Sequence, residues 1–222
     1  MKTWQIEFEA RLGAAQSPPV LSRDLLLRMA RSAHGRALPA SSLSHWLKSA
    51  QARAKLTRVQ RGLYLNAFRT PSGTLADVTG WLRSDAVVSL NSVLGDAGVL
   101  NNPSRVVTAV VPLDGVAPPR LGRKHTHAGL LHFFGVPRRV LEAGEAADRL
   151  QAQAGLEHVR ATPEKALIDW LYLAASPRSH RTWPVRGDLD VALLDKQRLR
   201  RLARAAGVED ILDDWLAGPA AV

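Results

Sequence analysis

Four cationic side chains fall within nine residues, with no acidic residue between them: Arg53, Lys55, Arg58 and Arg61. Positive charge of this density neutralises the phosphates of a nucleic-acid backbone, and such contacts position a protein without reading base sequence. We therefore expect these four side chains to bind DNA phosphates. A solvated basic surface without a ligand is the alternative interpretation of the same charges.

The segment before these cations predicts a helix with an acid-free face. Apolar residues at helical spacing predict its buried stripe: Leu43, Trp46, Leu47, Ala50 and Ala54. Small polar or cationic residues occupy the other side: Ser41, Ser44, His45, Lys48 and Ser49. Such a face can enter the major groove of DNA without charge repulsion. We expect it to bind DNA, with base contacts from Ser44, His45 and Lys48.

Carboxylates near the C-terminus give the best indication of an enzyme in this sequence. Asp188 and Asp190 are spaced like residues on one side of a strand, and paired carboxylates can hold catalytic metal ions. A metal-dependent nucleic-acid-processing enzyme is therefore an alternative function. Glu164 is explained more simply by helix capping and solvation, and Asp169, five residues later, points in a different direction.

Three histidines are the other candidates for metal binding: His125, His127 and His132. A zinc site needs several ligands and hydrogen bonds that orient them. Arg123 and Lys124 precede these histidines, and their positive charge disfavours a bound cation. We expect structural or exposed histidines, and no catalytic residue, metal or cofactor in this chain.

The positive charge is concentrated in one part of the chain. The 222 residues hold 30 Lys and Arg against 20 Asp and Glu, a net charge of +10. Residues 1–70 contain 12 of the basic and three of the acidic residues, so their net charge is +9 and that of residues 71–222 is +1. A polyanionic partner such as double-stranded DNA is therefore expected for the first part alone.

Two absences exclude further classes of protein. The chain has no cysteine, and therefore no disulfide, thiolate zinc site or cysteine nucleophile. Its first residues include Glu7 and Glu9 where a signal peptide has an apolar core, and no apolar run approaches the ~18 residues of a membrane helix. We expect a cytoplasmic protein with no membrane partner.

Residues 1–70 predict a winged helix-turn-helix. Three helices are expected: residues 3–13, Ser22 to Gly35, and a helix after Pro39 with Ser41 or Ser42 as its cap. Two β-rich runs around Gly62 predict a hairpin after the third helix, which would be the wing. Trp46 and Tyr64 are expected in the core, and the turn-rich residues 68–74 mark the domain boundary.

Residues 71–222 predict a mixed α/β domain with its own core, so the fold class is α+β overall. Strands are expected over residues 86–90, 105–111, 130–136 and 157–160, with a loop over 114–127. Helices are expected at 75–83, from 91 to about 97, after Thr162, and around Leu199 to Ala206.

Four stretches of the chain form an ordered set of motifs. They are residues 55–65 (KLTRVQRGLYL), 87–94 with 98–100 (VVSLNSVL and GVL), 162–169 (TPEKALID), and 188–190 with 194–195. In this order they resemble AbiEi-type antitoxins, the transcriptional regulators of type IV toxin–antitoxin systems, over about residues 20–205. Asn91 departs from the family pattern, which has an acid there.

The resemblance implies a role for each domain. In that family the winged helix binds inverted repeats in the promoter of its own operon and represses it. The C-terminal domain, here residues 71–222, counteracts a nucleotidyltransferase-like toxin, for which a stable complex is not required, and abortive infection of phage is a reported role. A transcriptional regulator without a toxin is the remaining alternative.

Overall fold

The chain forms an α+β structure of helices and two sheets. A computed structural model describes residues 3–35, 38–114, 121–152, 157–179 and 181–218. The chain divides into two compact units. The first unit comprises Met1–Val78 and His125–Gly129, and the second comprises Thr79–Lys124 and Leu130–Val222. Lys2 and Arg36, two of the basic residues counted above, lie outside the described residues.

The first unit contains three helices, a short strand and a hairpin. Its elements are α1 (Thr3–Gly13), β1 (Val20–Ser22), α2 (Arg23–His34), α3 (Ala40–Ala52), β2 (Leu56–Gln60), β3 (Leu63–Asn66) and a 3₁₀ turn (Ala76–Val78). The strands pair antiparallel in the order β1-β3-β2. The predicted helices and hairpin are present. Strand β1 was not predicted, because three residues that pair with a distant strand carry no periodicity of their own.

The ends of α2 are as predicted, whereas α3 begins differently. The Ser22 hydroxyl accepts a backbone N–H of the first turn of α2 at 3.1 Å, and Gly35 ends the helix in the left-handed conformation. The prediction that Ser41 or Ser42 caps α3 is wrong. Pro39 occupies the capping position, and its carbonyl oxygen accepts the N–H of Ser42 at 3.0 Å.

One apolar core joins the helices and the hairpin of this unit. Its buried members are Trp4, Phe8, Leu12, Leu21, Leu26, Ala30, Leu38, Leu43, Trp46, Leu47, Ala50, Leu56 and Tyr64. Trp46 and Tyr64 were both predicted there. Ala54 was predicted in the buried stripe of α3, but the helix ends at Ala52 and Ala54 is exposed, with φ at 54°. The stripe therefore stops at Ala50.

A five-stranded sheet with further helices makes up the rest of the described chain. Its strands are β4 (Val87–Val88), β5 (Val107–Pro112), β6 (Gly122–Thr126), β7 (Gly129–Val136) and β8 (Val159–Arg160). The helices are α4 (Thr79–Leu82), α5 (Asn91–Asp96), α6 (Arg138–Leu141), α7 (Ala146–Arg149), α8 (Pro163–Ala175), α9 (Lys196–Ala206) and α10 (Glu209–Ala217), with 3₁₀ turns at Arg186–Asp188 and Val191–Leu193.

The strands of this sheet are hydrogen-bonded in the order β6-β7-β5-β4-β8, so the sheet is mixed. Strand β5 runs parallel to β7, and β4 is antiparallel to β5 and parallel to β8. Strand β6 corrects the prediction of a loop over residues 114–127, of which 115–120 lie outside the described residues. Its sequence, GRKHT, lies at the sheet edge and is half-buried or exposed, so it has no apolar alternation to reveal it.

Helix α8 begins as predicted, with Thr162 as its cap and Pro163 in its first turn. Nine of its 13 residues are buried, including two acids and a lysine. Glu164 is only 5% exposed, and its carboxylate accepts the N–H of Asp195 at 3.0 Å. The interpretation of Glu164 as solvated is therefore wrong: it orders the chain at the start of α9.

Within the described ranges, no helix is both long and apolar enough to cross a lipid bilayer.

Candidate nucleic-acid interface

Helix α3 exposes the polar face that the sequence predicts. Leu43, Trp46, Leu47 and Ala50 hold its other side in the core. His45, Lys48 and Ser49 are exposed, and Ser44 is half-buried. No acidic residue lies on this helix. Short hydroxyls, an imidazole and an ammonium group can therefore approach a polyanion along α3 without charge repulsion.

A tight turn carries the chain from α3 into the hairpin and projects two cations. Arg53 ends the helix, and Ala54 takes the left-handed conformation. The N–H of Lys55 donates to the carbonyl oxygen of Ala50 at 2.9 Å, which fixes the reversal of the chain. Arg53 and Lys55 are both exposed, so the turn presents them to solvent.

The hairpin presents the other two predicted phosphate ligands. In β2, Leu56 and Val59 are buried, while Arg58 lies opposite Tyr64 of β3 and points to solvent. A bulge interrupts the register between Arg58 and Gln60, which lets Val59 enter the core. The turn is formed by Arg61, which is exposed, and Gly62, whose φ of 79° suits glycine.

Arg53 differs from the other three cations because a carboxylate already binds it. Its guanidinium lies 2.7 Å from the Glu9 carboxylate, which also accepts a hydrogen bond from the Trp46 indole at 2.9 Å. Burial alone would raise the pKa of Glu9, but the hydrogen bonds from Arg53 and Trp46 outweigh it and lower that pKa. The hydrogen bond to Glu9 raises the pKa of Arg53.

Most other cations of this unit are free of ion pairs. Glu7 pairs with Arg11 within α1, as Glu9 does with Arg53. No carboxylate of the described chain forms an ion pair with the following exposed residues: Arg23, Arg28, Arg31, Lys48, Lys55, Arg58 and Arg61. The two ion pairs use two of the three acids in residues 1–70, so the surplus positive charge stays on the surface.

Arg23 is a candidate that the sequence alone did not indicate. Strand β1 pairs with β3 so that Ser22 lies opposite Leu63, and the N–H of Arg23 donates to the carbonyl oxygen of Gly62 at 2.8 Å. The exposed Arg23 therefore begins α2 directly beside the hairpin turn that carries Arg61. Predicting this would have required the pairing of β1 with β3, for which the run Val20 to Ser22 is too short a signal.

The carboxylates considered for an enzyme do not lie on a regular strand. Asp188 ends a 3₁₀ turn and Asp190 precedes another, so the expectation of a strand at this position is wrong, although both residues are exposed. The Asp190 carboxylate accepts the N–H of Ala192 at 3.2 Å, a capping role. Leu189, between Asp188 and Asp190, makes only an isolated bridge to Leu100, so this segment does not join a sheet.

The histidines considered for a metal differ in exposure and in the unit to which they belong. His125 and His127 are exposed and cluster with the first unit, whereas His132 belongs to the second and is half-buried. Burial lowers the pKa of His132, and the charges of Arg181 and Arg123 lower it further. No group of three or more His, Cys, Asp or Glu side chains in the described ranges has the geometry to hold a metal ion.

Comparison with known proteins yields a structural neighbour and no family. No family model matches the chain, and no curated protein matches it in sequence. Its fold is similar to the crystal structure of the RV2827C protein from Mycobacterium tuberculosis, with a TM-score of 0.57 and 18% sequence identity. The alignment covers 95% of this chain and 78% of that one. At this identity, the similarity establishes the fold alone.

Proposed function

We propose that this protein is a DNA-binding transcriptional repressor whose first unit is a winged helix-turn-helix. One observation carries the proposal: an acid-free exposed face on α3 continues into a hairpin whose exposed cations have no ion pair among the described residues. The element order α1-β1-α2-α3-β2-β3, with its antiparallel sheet, supports the assignment of α3 as the recognition helix and the β2–β3 hairpin as the wing.

The contacts of this unit favour different roles for its polar residues, some as phosphate ligands and others as base contacts. Lys55, Arg58 and Arg61 would bind phosphates, with Arg23 beside the wing turn as a fourth ligand. Arg53 must first give up its bond to Glu9, so its contribution would be smaller. His45, Lys48 and Ser49 face solvent from α3 and would meet base edges, with Ser44 at the border of the core.

We further propose that the protein acts as an antitoxin. The resemblance of residues 55–65, 87–100, 162–169 and 188–195 to AbiEi-type antitoxins supports this part. The DNA would then be inverted repeats in the protein's own promoter, and the second unit would counteract a nucleotidyltransferase-like toxin. Since inverted repeats place two half-sites on the DNA, two copies of this chain would bind each operator.

A gel shift with the protein's own upstream DNA tests the repressor. At about 150–200 mM salt, near physiological ionic strength, the protein should bind that DNA in preference to a scrambled duplex of equal length. Replacing Lys55, Arg58 and Arg61 together by Ala should weaken binding to both duplexes. Equal affinity of the unmodified protein for the two duplexes would exclude autoregulation.

Coexpression tests the antitoxin. A nucleotidyltransferase-like reading frame next to the gene should arrest growth when induced alone, and coexpression of this protein should restore growth. The triple Ala variant, which is weakened only in DNA binding, should still restore it, since rescue would come from the second unit. Failure of the unmodified protein to rescue growth would leave a transcriptional regulator without a toxin.

A further inference from the structure

The second unit contains a cleft that the proposed function does not use. It lies beside β7 and the C-terminal end of α8 and has a volume of about 930 Å³. This is at the upper end of the range of roughly 300–1,000 Å³ that is usual for small-molecule sites. Apolar and aromatic side chains form much of its wall, among them Leu113, Leu121, Phe134 and Tyr172.

The charged side chains of this cleft are all cationic. Arg123, Arg178 and Arg181 line it, and no Asp or Glu is found among its described lining residues. Arg123 and Arg178 are exposed, so their guanidinium groups can reach a ligand without a change in the core. A cleft with three arginines and no carboxylate favours a multiply charged anion.

Arg181 is held by contacts with two aromatic rings and an amide. Its guanidinium carbon lies 4.8 Å from the ring centre of Phe134 and 4.8 Å from that of Trp170. Its Nη2 donates a hydrogen bond to the side-chain oxygen of Asn91. These contacts hold the guanidinium group in place, and because Asn91 is neutral they leave its charge uncompensated.

One donor of Arg181 is left unsatisfied. Its Nε–H is buried and has no hydrogen-bond partner among the described residues. Burial lowers the pKa of Arg181, with no carboxylate to oppose the effect. A buried donor without a partner is unfavourable, and more so when it belongs to a charged group. An anion in the cleft would supply the missing acceptor and the missing charge.

We propose that this cleft binds a phosphate monoester with an aromatic body, of the size of a nucleoside 5′-monophosphate. The phosphate would lie against Arg181, with Arg123 and Arg178 closing around it. The apolar wall around Tyr172 would contact the body of the ligand. Guanidinium groups match the geometry of phosphate oxygens through paired N–H donors, which is why the phosphate is assigned to the arginine side of the cleft.

Calorimetric titration of the full chain tests the site, with adenosine 5′-monophosphate (AMP), adenosine and inorganic phosphate as probes. AMP should bind at one site per chain, inorganic phosphate at least tenfold more weakly, and adenosine without detectable heat. Equal affinity for AMP and inorganic phosphate would overturn the assigned aromatic body. No binding of AMP would overturn the site.

Two variants test whether AMP binding depends on the arginines of the cleft, as opposed to the overall charge or the folding of the protein. Asn91→Asp places a carboxylate on Arg181 while keeping the hydrogen bond, so it should reduce AMP affinity at least tenfold without lowering Tm. Arg178→Ala removes an exposed cation and should also weaken binding. Arg105→Ala, an exposed arginine outside the cleft, is the matched control and should not. Unchanged affinity in Asn91→Asp would refute the role of Arg181.

A gel shift with operator DNA provides an independent test of the same variants. Because the cleft belongs to the second unit, Asn91→Asp and Arg178→Ala should leave the gel shift with operator DNA unchanged. If they weaken the gel shift and AMP does not bind, these arginines contact DNA phosphates and the small-molecule site is wrong. A failed gel shift of the unmodified protein, with AMP binding intact, would instead reject only the proposed repressor.

Discussion

The indole Nε1–H of Trp46 donates a hydrogen bond of 2.9 Å to the carboxylate of Glu9. This bond ties α3, the proposed recognition helix, to α1 through a ring that is 2% exposed. The same carboxylate binds Arg53 at the end of α3. Glu9 of α1 therefore stabilises the packing of α3 through Trp46 and also forms an ion pair with Arg53 at the end of α3.

Replacing Glu9 should separate these two effects. Glu9→Ala leaves the Trp46 donor without its partner, so we expect a loss of about 1–2 kcal/mol in the free energy of unfolding. Glu9→Gln retains an acceptor for Trp46 and should lose less than about 1 kcal/mol, since the Arg53 side chain of the lost ion pair is 42% exposed to solvent. Urea unfolding measures both. An equal loss in the two variants would show that the ion pair, not the indole bond, stabilises this contact.

Both Glu9 variants should bind DNA more tightly than the unmodified protein. Each removes a negative charge and releases Arg53, which can then reach a phosphate. The dependence of log K on log salt should steepen by about 0.9, the contribution of one added phosphate contact. A gel shift at several salt concentrations measures the slope. An unchanged slope would mean that Arg53 does not reach DNA even when it is free.

The cations of the β2–β3 hairpin should differ from Arg53 in the same assay. Arg58→Ala should reduce the slope of log K against log salt by about 0.9, and Arg53→Ala by less, because Glu9 competes for Arg53. Arg28→Ala, another exposed arginine of the first unit that lies on α2, is the control for general loss of charge. A loss of affinity in Arg58→Ala that is confined to the operator and absent on random DNA would contradict its role as a phosphate ligand.

A fully buried ion pair lies within α8 of the second unit. Lys165 and Asp169 pair within α8 with side chains 2% and 1% exposed, and the Ser89 hydroxyl donates to Asp169 at 2.7 Å. Asp169→Ala should cost about 3–5 kcal/mol, because it leaves a buried ammonium group unpaired. The double variant Lys165→Met/Asp169→Leu should recover most of that loss. Thermal and urea unfolding measure both, and a double variant as unstable as Asp169→Ala would refute an origin in the unpaired charge.

Local patterns explain which elements of the first unit could be predicted. The start of α2 at Ser22, its end at Gly35 and the buried stripe of α3 follow from capping and from 3.6-residue periodicity within one segment. Strand β1 could not be predicted in the same way, because its pairing with β3 joins residues more than 40 positions apart. Arg23 was missed as a candidate for the same reason.

The prediction of the site residues from the sequence has a similar limit. The exposure of His45 and Lys48 follows from the same helical periodicity that buries Trp46, so the sequence indicates the surface of α3 correctly. In β2 the exposure of Arg58 and the burial of Val59 depend on the bulge, which strand alternation does not predict. The sequence does not indicate that Glu9 forms an ion pair with Arg53, since the two residues are 44 positions apart. Nor does it gather Arg123, Arg178 and Arg181 in one cleft, or exclude Asp188 and Asp190 from a strand, because these depend on the packing of separate segments.

The histidine of the cleft should make stability depend on pH. Burial, and then the charges of Arg181 and Arg123, lower the pKa of His132 below its usual 6.5. Between that lowered pKa and 6.5 the unfolded chain binds more protons than the folded one, so the free energy of unfolding falls as pH decreases through this range and is fully present above it.

The slope that His132 contributes cannot exceed about 1.4 kcal/mol per pH unit, the value for one proton, and should be smaller because the ring is partly solvated. His132→Gln should remove this part of the pH dependence. Urea unfolding at intervals from pH 8 to pH 5 measures it, with the difference between the two proteins at pH 8 as the baseline. A difference that stays constant over the whole range would contradict the lowered pKa. A difference that shrinks as pH falls would support it, because the unmodified protein alone loses stability as it takes up the proton.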